Sequence, residues 1–195
     1  LKTFVLLCLG LSIFGFGSSL LIHSTIGNAP WVVLAEGLAN QFNWSIGFAT
    51  FITSIVVLSM WIPLGEKPGL GTIMNILIIA VVLDLSINIF DLSSSLFFIN
   101  FITALLGVII VGLGSGIYLI ANLGPGPRDG LMTGLQKASG YPIAWIRTLI
   151  EITVVLLGWA LGGTVGVGTI LFTIGVGTAI AFGLNLISSI NKNVS

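Results

Sequence analysis

Gly10-Leu11-Ser12-Ile13-Phe14-Gly15-Phe16-Gly17-Ser18 is answered, 97 positions later, by Gly107-Val108-Ile109-Ile110-Val111-Gly112-Leu113-Gly114-Ser115. The register holds without a gap from Phe4–Ile73 onto Phe101–Ile170, where 21 of 70 aligned pairs are identical. A chain this rich in Leu, Ile and Gly would match itself at roughly 10% by chance, so the excess is about threefold. The identities fall on residues that shape backbone. Gly27, Pro30 and Gly37 lie on Gly124, Pro127 and Gly134, and Gly69-Leu70-Gly71-Thr72-Ile73 lies on Gly166-Val167-Gly168-Thr169-Ile170. The chain therefore reads as a single domain over residues 1–195 built by duplication, with repeat 1 covering about 1–95 and repeat 2 about 96–195.

Composition sets the solvent. Hydrophobic residues make up 56% of the chain, charged residues 6%, and the mean hydropathy is +1.18. A soluble domain carries about 25% charge, so this surface cannot be wetted all round and the chain is an integral membrane protein. The one cysteine, Cys8, excludes a disulfide framework and a cysteine-based metal site. Lys2 followed by an apolar run has the look of a signal peptide. Its counterpart, Phe101 to Asn122, is internal, and Leu7 before Cys8 is too large for a lipobox, so the first segment is expected to remain as a span.

A helix needs about 20 apolar residues to cross about 30 Å of hydrocarbon, and backbone polar groups in lipid must be satisfied internally. Six stretches qualify: Thr3–His23, Trp44–Leu64, Leu70–Phe90, Leu96–Ala121, Pro142–Leu161 and Gly168–Ile190. Pro30–Phe42 and Pro127–Ala138 are too short, at roughly 12 residues or about 18 Å of helix each. Each starts with a proline, well suited to a first turn. If these two do not cross and the N-terminus is cytoplasmic, Lys2, Lys67, Arg128, Lys137, Arg147 and Lys192 all fall on the cytoplasmic side. The opposite side, with Glu36, Asp91 and the run Gly162 to Gly168, has no Lys or Arg. Three spans per repeat then force the second copy to enter the membrane from the other side. The expected fold is an all-α membrane protein, an inverted 3+3 repeat of six transmembrane helices. Each repeat carries a short non-spanning or re-entrant helix after its first span.

The loops before the short helices are the first candidate site. Gly27-Asn28-Ala29-Pro30-Trp31 and Gly124-Pro125-Gly126-Pro127-Arg128-Asp129-Gly130 stop one helix and start another. A helix N-terminus presents free N–H groups and a positive dipole end to an anion. Arg128 adds a fixed charge with a bidentate fork. The plainer alternative lays both helices at the interface, with Asp129 favouring its helix N-terminus and Arg128 an ordinary cytoplasmic charge. The string Gly124-Pro125-Gly126-Pro127-Arg128-Asp129-Gly130-Leu131, followed by a span and Gly166-Val167-Gly168-Thr169-Ile170, resembles the YczE/YyaS/YitT group of bacterial membrane proteins, and its YczE-like branch most. The shared pattern falls on Gly124, Gly126, Pro127, Asp129, Gly130 and Leu131. The first copy departs from it, with Trp31 and Val32 in place of the arginine and aspartate. The resemblance implies a multispan inner-membrane protein and names no substrate.

Charges inside spans cost several kcal/mol unless paired or hydrated, so Asp84 and Glu151 are candidates by default. Arg147, four residues before Glu151, is a natural partner for it, and Asn88 lies one turn beyond Asp84. Neither acid is repeated: Asp84 aligns with Ala181 and Glu151 with Ser54. The glycines of the first span in each repeat are expected to let helices approach closely. Thr72 and Thr169 are expected to cap the third spans; without a following Gly-Lys-Ser/Thr their motif is not a nucleotide loop. His23 and the five tryptophans, Trp31, Trp44, Trp61, Trp145 and Trp159, are expected at the membrane interfaces.

These observations lead to a small transporter or channel for a small anionic or carboxylate-bearing solute in the bacterial inner membrane, both termini cytoplasmic. Asn28, Pro30, Gly124, Gly126, Pro127, Arg128 and Asp129 are expected to contact the solute. Asp84, Asn88, Arg147 and Glu151 form the polar intramembrane set from which coupling would come. Two other classes stay open: a substrate-binding subunit of a larger transporter, which the inverted repeat disfavours, and a non-transporting accessory protein. No serine elbow, zinc-protease pattern or nucleotide fingerprint occurs, so no catalytic residue, metal or cofactor is expected. The expected partners are the lipid bilayer and a small-molecule solute, not nucleic acid, with homo-oligomerisation left open.

Overall fold

The computed structural model describes residues 2–90, 92 and 94–192, with side chains as far as 186. Every regular element among them is helical: α1 (Lys2–His23), α2 (Pro30–Phe42), α3 (Ile46–Ser59), α4 (Trp61–Leu64), α5 (Leu70–Ile89), α6 (Phe97–Ile120), α7 (Pro127–Ser139), α8 (Ile143–Ala160) and α9 (Val167–Lys192). Six stretches are long and apolar enough to cross a membrane, α3 and α4 counting as one. That second span is broken at Met60. Pro63 has no N–H and its ring would meet the carbonyl of Ser59, so the helix ends and a single turn restarts. Proline begins both α2 and α7.

The core is the crossing of α1 and α6, the most extensive contact in the molecule, flanked by α5 against α1 and α9 against α6. Only glycine allows that approach. A Cβ at Gly10 would stand 2.5 Å from the Tyr118 nitrogen, and one at Gly114 would stand 2.5 Å from the Phe14 nitrogen.

Outside this core each short helix lies against the other half of the chain, α2 on α8 and α7 on α3. The loops that precede them do the same, and their contacts recur at the 97-residue offset. The N–H of Gly71 donates to the Leu123 carbonyl at 2.7 Å, and the N–H of Gly168 donates to the Ile26 carbonyl at 2.9 Å. Gly27 and Gly124 hold φ of +124° and +122°, backbone that a side chain would strain. Thr72 and Thr169 accept from the N–H groups of Gly69 and Gly166, at 3.1 and 3.3 Å, and so cap α5 and α9 as expected.

Three sequence expectations change. Trp31 and Trp61 are buried in protein, at 7% and 2% exposure, and the Trp61 indole donates to the Pro127 carbonyl at 2.9 Å. Trp44, Trp145 and Trp159 are the exposed ones. His23, at the end of α1, is likewise buried in protein. Glu36 is not a loop charge: it sits within α2 and accepts from Asn28 Nδ2 (2.8 Å), Thr164 N (2.7 Å) and Thr164 Oγ1 (2.8 Å). Sequence reasoning read Glu36 only as the absence of a positive charge, whereas its carboxylate ties α2 to the α8–α9 loop. Asp91 lies outside the described residues.

Candidate functional site

Pro127 opens α7 and aims its first turn into the molecule, because Trp61 and Gly130 fix the helix from behind. A Cβ at Gly130 would lie 1.9 Å from the Trp61 ring, so this glycine is where α7 seats on α4. Asp129, in the first turn, accepts from the Tyr118 hydroxyl at 3.1 Å. That carboxylate also complements the helix dipole. Arg128 is thereby turned toward Trp31 at the start of α2, with its guanidinium carbon 5.1 Å from the ring centroid. The two residues are equivalents in the duplication, 31 and 128, and they meet face to face.

They meet in a cavity of about 320 Å³. Its lining draws on the middle of α1 (Phe14), α3 (Thr50, Ser54) and α5 (Asn75, Ile79), on both short-helix N-termini, and on α6, α8 and α9. Much of the lining comes in pairs 97 residues apart: Pro30 with Pro127, Trp31 with Arg128, Thr50 with Arg147, Ser54 with Glu151, Ile79 with Val176. The shape is shared by the two halves while the charge belongs to one.

The electrostatics single out Arg128. Arg147 and Glu151, on the cavity wall, satisfy each other at 2.9 Å, the local pairing their spacing implies. Asp129 is engaged by Tyr118. Arg128 is half-buried, and among the described residues no protein oxygen accepts a hydrogen bond from it or pairs with it as an ion. Its guanidinium lies over the Trp31 ring, a contact that supplies no oxygen acceptor. Burial lowers its pKa to about 10, an effect offset by Asp129, Tyr118 and Glu151, so it stays cationic at neutral pH. A guanidinium carries five donors in a planar fork suited to a carboxylate or phosphate. Here that fork is presented to a cavity, without a hydrogen-bond acceptor among the described residues.

Of the residues expected to touch solute, Pro30, Gly126, Pro127, Arg128 and Asp129 line this cavity. Asn28 does not. It is buried and donates to Glu36. Gly124 packs on Gly69 and shapes the loop behind the site. Asp84 and Asn88 are also elsewhere. The Asp84 carboxylate accepts from Ser45 Oγ and, at 2.6 Å, from the N–H of Gly47, which anchors the N-terminus of α3 on α5. Asn88 donates to the backbone carbonyl of Asp84 at 2.8 Å, not to its carboxylate. Sequence reasoning missed Tyr118, Asn75, Thr50 and Ser54 as cavity residues. Thr50 and Ser54 could have been found by asking what aligns with Arg147 and Glu151; Tyr118 and Asn75 carry no such mark.

The chain is thus a helical membrane protein with six helices, among the described residues, apolar enough to span, and a cavity where two proline-started short helices meet. Residues 1–185 match the family described as a family of unknown function, DUF6198, and the chain belongs to that family. An uncharacterized protein of Haemophilus influenzae is 42% identical over 187 residues, covering 96% of this chain and 85% of the relative. The uncharacterized membrane protein YczE of Bacillus subtilis is 33% identical over 177 residues, covering 90% and 82%. The uncharacterized protein YyaS of the same organism is 27% identical over 168 residues, covering 84% and 83%. The YczE/YyaS kinship read from the Pro127 motif therefore extends over most of the chain. No solved structure matches it.

Proposed function

We propose that the chain is a small transporter or channel of the bacterial inner membrane whose solute carries an anionic group, a carboxylate in the simplest case. In this reading the two halves are inverted copies about an axis in the membrane plane, both termini are cytoplasmic, and the solute binds where the short helices meet. The observation that carries it is Arg128, a guanidinium facing a cavity walled by spanning helices, with no hydrogen-bond acceptor among the described residues. Asp129 and Glu151 act on its charge from nearby, but no hydrogen bond joins either to it among the described residues, and donors without an acceptor are costly, a cost that an arriving anion would relieve. The paired lining of Pro30 with Pro127 and Trp31 with Arg128 supports a site at the repeat interface, where inverted-repeat transporters place theirs. An accessory protein that moves nothing would gain nothing from a free guanidinium in a cavity.

The test is ligand-induced stabilisation of the purified protein. Benzoate and acetate are screened against benzylamine and methylamine at equal concentration. A ligand at 100 times its Kd stabilises the native state by about 2.7 kcal/mol. A carboxylate should raise the midpoint, the amines should not, and Arg128→Gln should abolish the response while keeping its own unliganded midpoint within a few degrees. Equal stabilisation of Arg128→Gln by the carboxylate would refute the assignment.

A further inference from the structure

The two sides of the cavity differ most where α8 and α9 pass each other. On the equivalent side, Ala80 of α5 is 6% exposed, and a Cβ on Gly47 of α3 would come within 2.3 Å of its carbonyl. Asp84 clamps the same two helices together. In the second half the clamp residues Ser45, Gly47 and Asp84 are replaced by Pro142, Ala144 and Ala181. Gly177, the equivalent of Ala80, is exposed, and a Cβ there meets nothing within 4 Å. Among the described residues α8 and α9 share next to no contact. Both nevertheless wall the cavity, α8 with Arg147 and Glu151, α9 with Phe172, Val176 and Ile180. That last set recurs every four residues, an apolar stripe on one helix face.

We infer that the seam between α8 and α9 is a lateral portal from the bilayer, and that the solute is an amphipathic carboxylate of medium chain length. This rests on the anion-site reading above and narrows it. The carboxylate is held by Arg128, and the apolar body lies along Phe172, Val176 and Ile180. A fully hydrophilic anion would leave that stripe unused and would pay a large desolvation penalty to arrive through hydrocarbon. A neutral apolar molecule would leave the guanidinium unpaired. The volume agrees. About 320 Å³ corresponds to roughly ten waters at about 30 Å³ each, room for about ten non-hydrogen atoms, a head with a short chain. An open seam lets a longer tail remain in lipid.

The experiment uses the full chain in phosphatidylcholine nanodiscs and a decanoate bearing a terminal diazirine, with sites of photolabelling mapped by mass spectrometry. Label is expected on α9 around Phe172 to Ile180. Octanoate should compete about tenfold or more better than acetate, because burying its chain adds affinity. Arg128→Gln should cut labelling about tenfold or more through loss of the charge-assisted fork. Gly177→Trp, placed where a side chain has room, should cut labelling while leaving thermal stability unchanged. If acetate competes as well as octanoate and Arg128→Gln still matters, the anion site stands and the amphipathic portal falls. If neither acid competes and Arg128→Gln labels normally, both readings fall. Unchanged labelling of Gly177→Trp, or cross-linking between Gly177→Cys copies showing a second subunit on this face, overturns the portal.

Discussion

Replacing Asp84 by alanine should loosen the α3–α5 contact more than any other single change to a polar residue there. The carboxylate accepts two hydrogen bonds, from Ser45 Oγ and from the N–H of Gly47 in the first turn of α3. A hydrogen bond to a charged group contributes about 1.5–3 kcal/mol net, and a carboxylate at a helix N-terminus adds about 0.3–1 kcal/mol. The group is only partly buried, so the lower half of the range applies, about 3–4 kcal/mol in total. Asp84→Asn keeps one oxygen for Gly47 and should lose about half of that. For a chain of this size about 1 kcal/mol moves the midpoint by about 2–4 °C, so the alanine variant should melt about 10 °C lower and the asparagine variant about 5 °C lower. Size-exclusion after a temperature series, in a mild detergent, reads this directly. Ser45→Ala combined with Asp84→Ala should cost less than the sum of the two single changes, because they share one bond. An alanine variant within 1 °C of the parent, or strict additivity of the pair, refutes the clamp. It would also remove the contrast between the two sides of the cavity.

Two other expectations follow from single contacts. Gly130→Ala places a methyl 1.9 Å from the Trp61 ring, and overpacking of this kind costs about 1–3 kcal/mol, visible as a drop in midpoint together with a shift in tryptophan emission. Carboxylate-induced stabilisation should be flat from about pH 6 to about pH 8.5 and fall as pH rises toward about 10. Arg128 binds an anion only in its protonated form, and its lowered pKa still lies well above neutrality. A loss centred near pH 7 would assign the effect to another group.

The helices were legible because hydropathy in lipid leaves the backbone no alternative to helix. Pro30 and Pro127 marked the starts of the short helices to the residue, since proline at a first turn is a local preference that tertiary contacts did not override here. Pro63 was equally visible, yet the break it makes in the second span was not read. A proline in an apolar run is compatible with a kinked span as well as a broken one. Trp31 and Trp61 misled for a related reason: aromatic residues near span ends favour the interface on average, and only packing shows that these two seat Arg128 and Gly130 instead. Glu36 illustrates the limit of charge counting. Its sign and position say which side it lies on; two of its three hydrogen bonds come from a loop more than a hundred residues away.

By itself the sequence determined the duplication, the placement of the six spanning stretches and of the two short helices, and the motif at Pro127. These rest on local chemistry: periodicity, proline, glycine and the insolubility of bare backbone in hydrocarbon. Only the tertiary structure decided that Trp31 and Arg128, equivalent residues of the two copies, face each other across one cavity. It also decided that Asp84 closes one side while the α8–α9 side stands open. Partners drawn from opposite halves of a chain are fixed by packing geometry, which no single stretch of residues encodes.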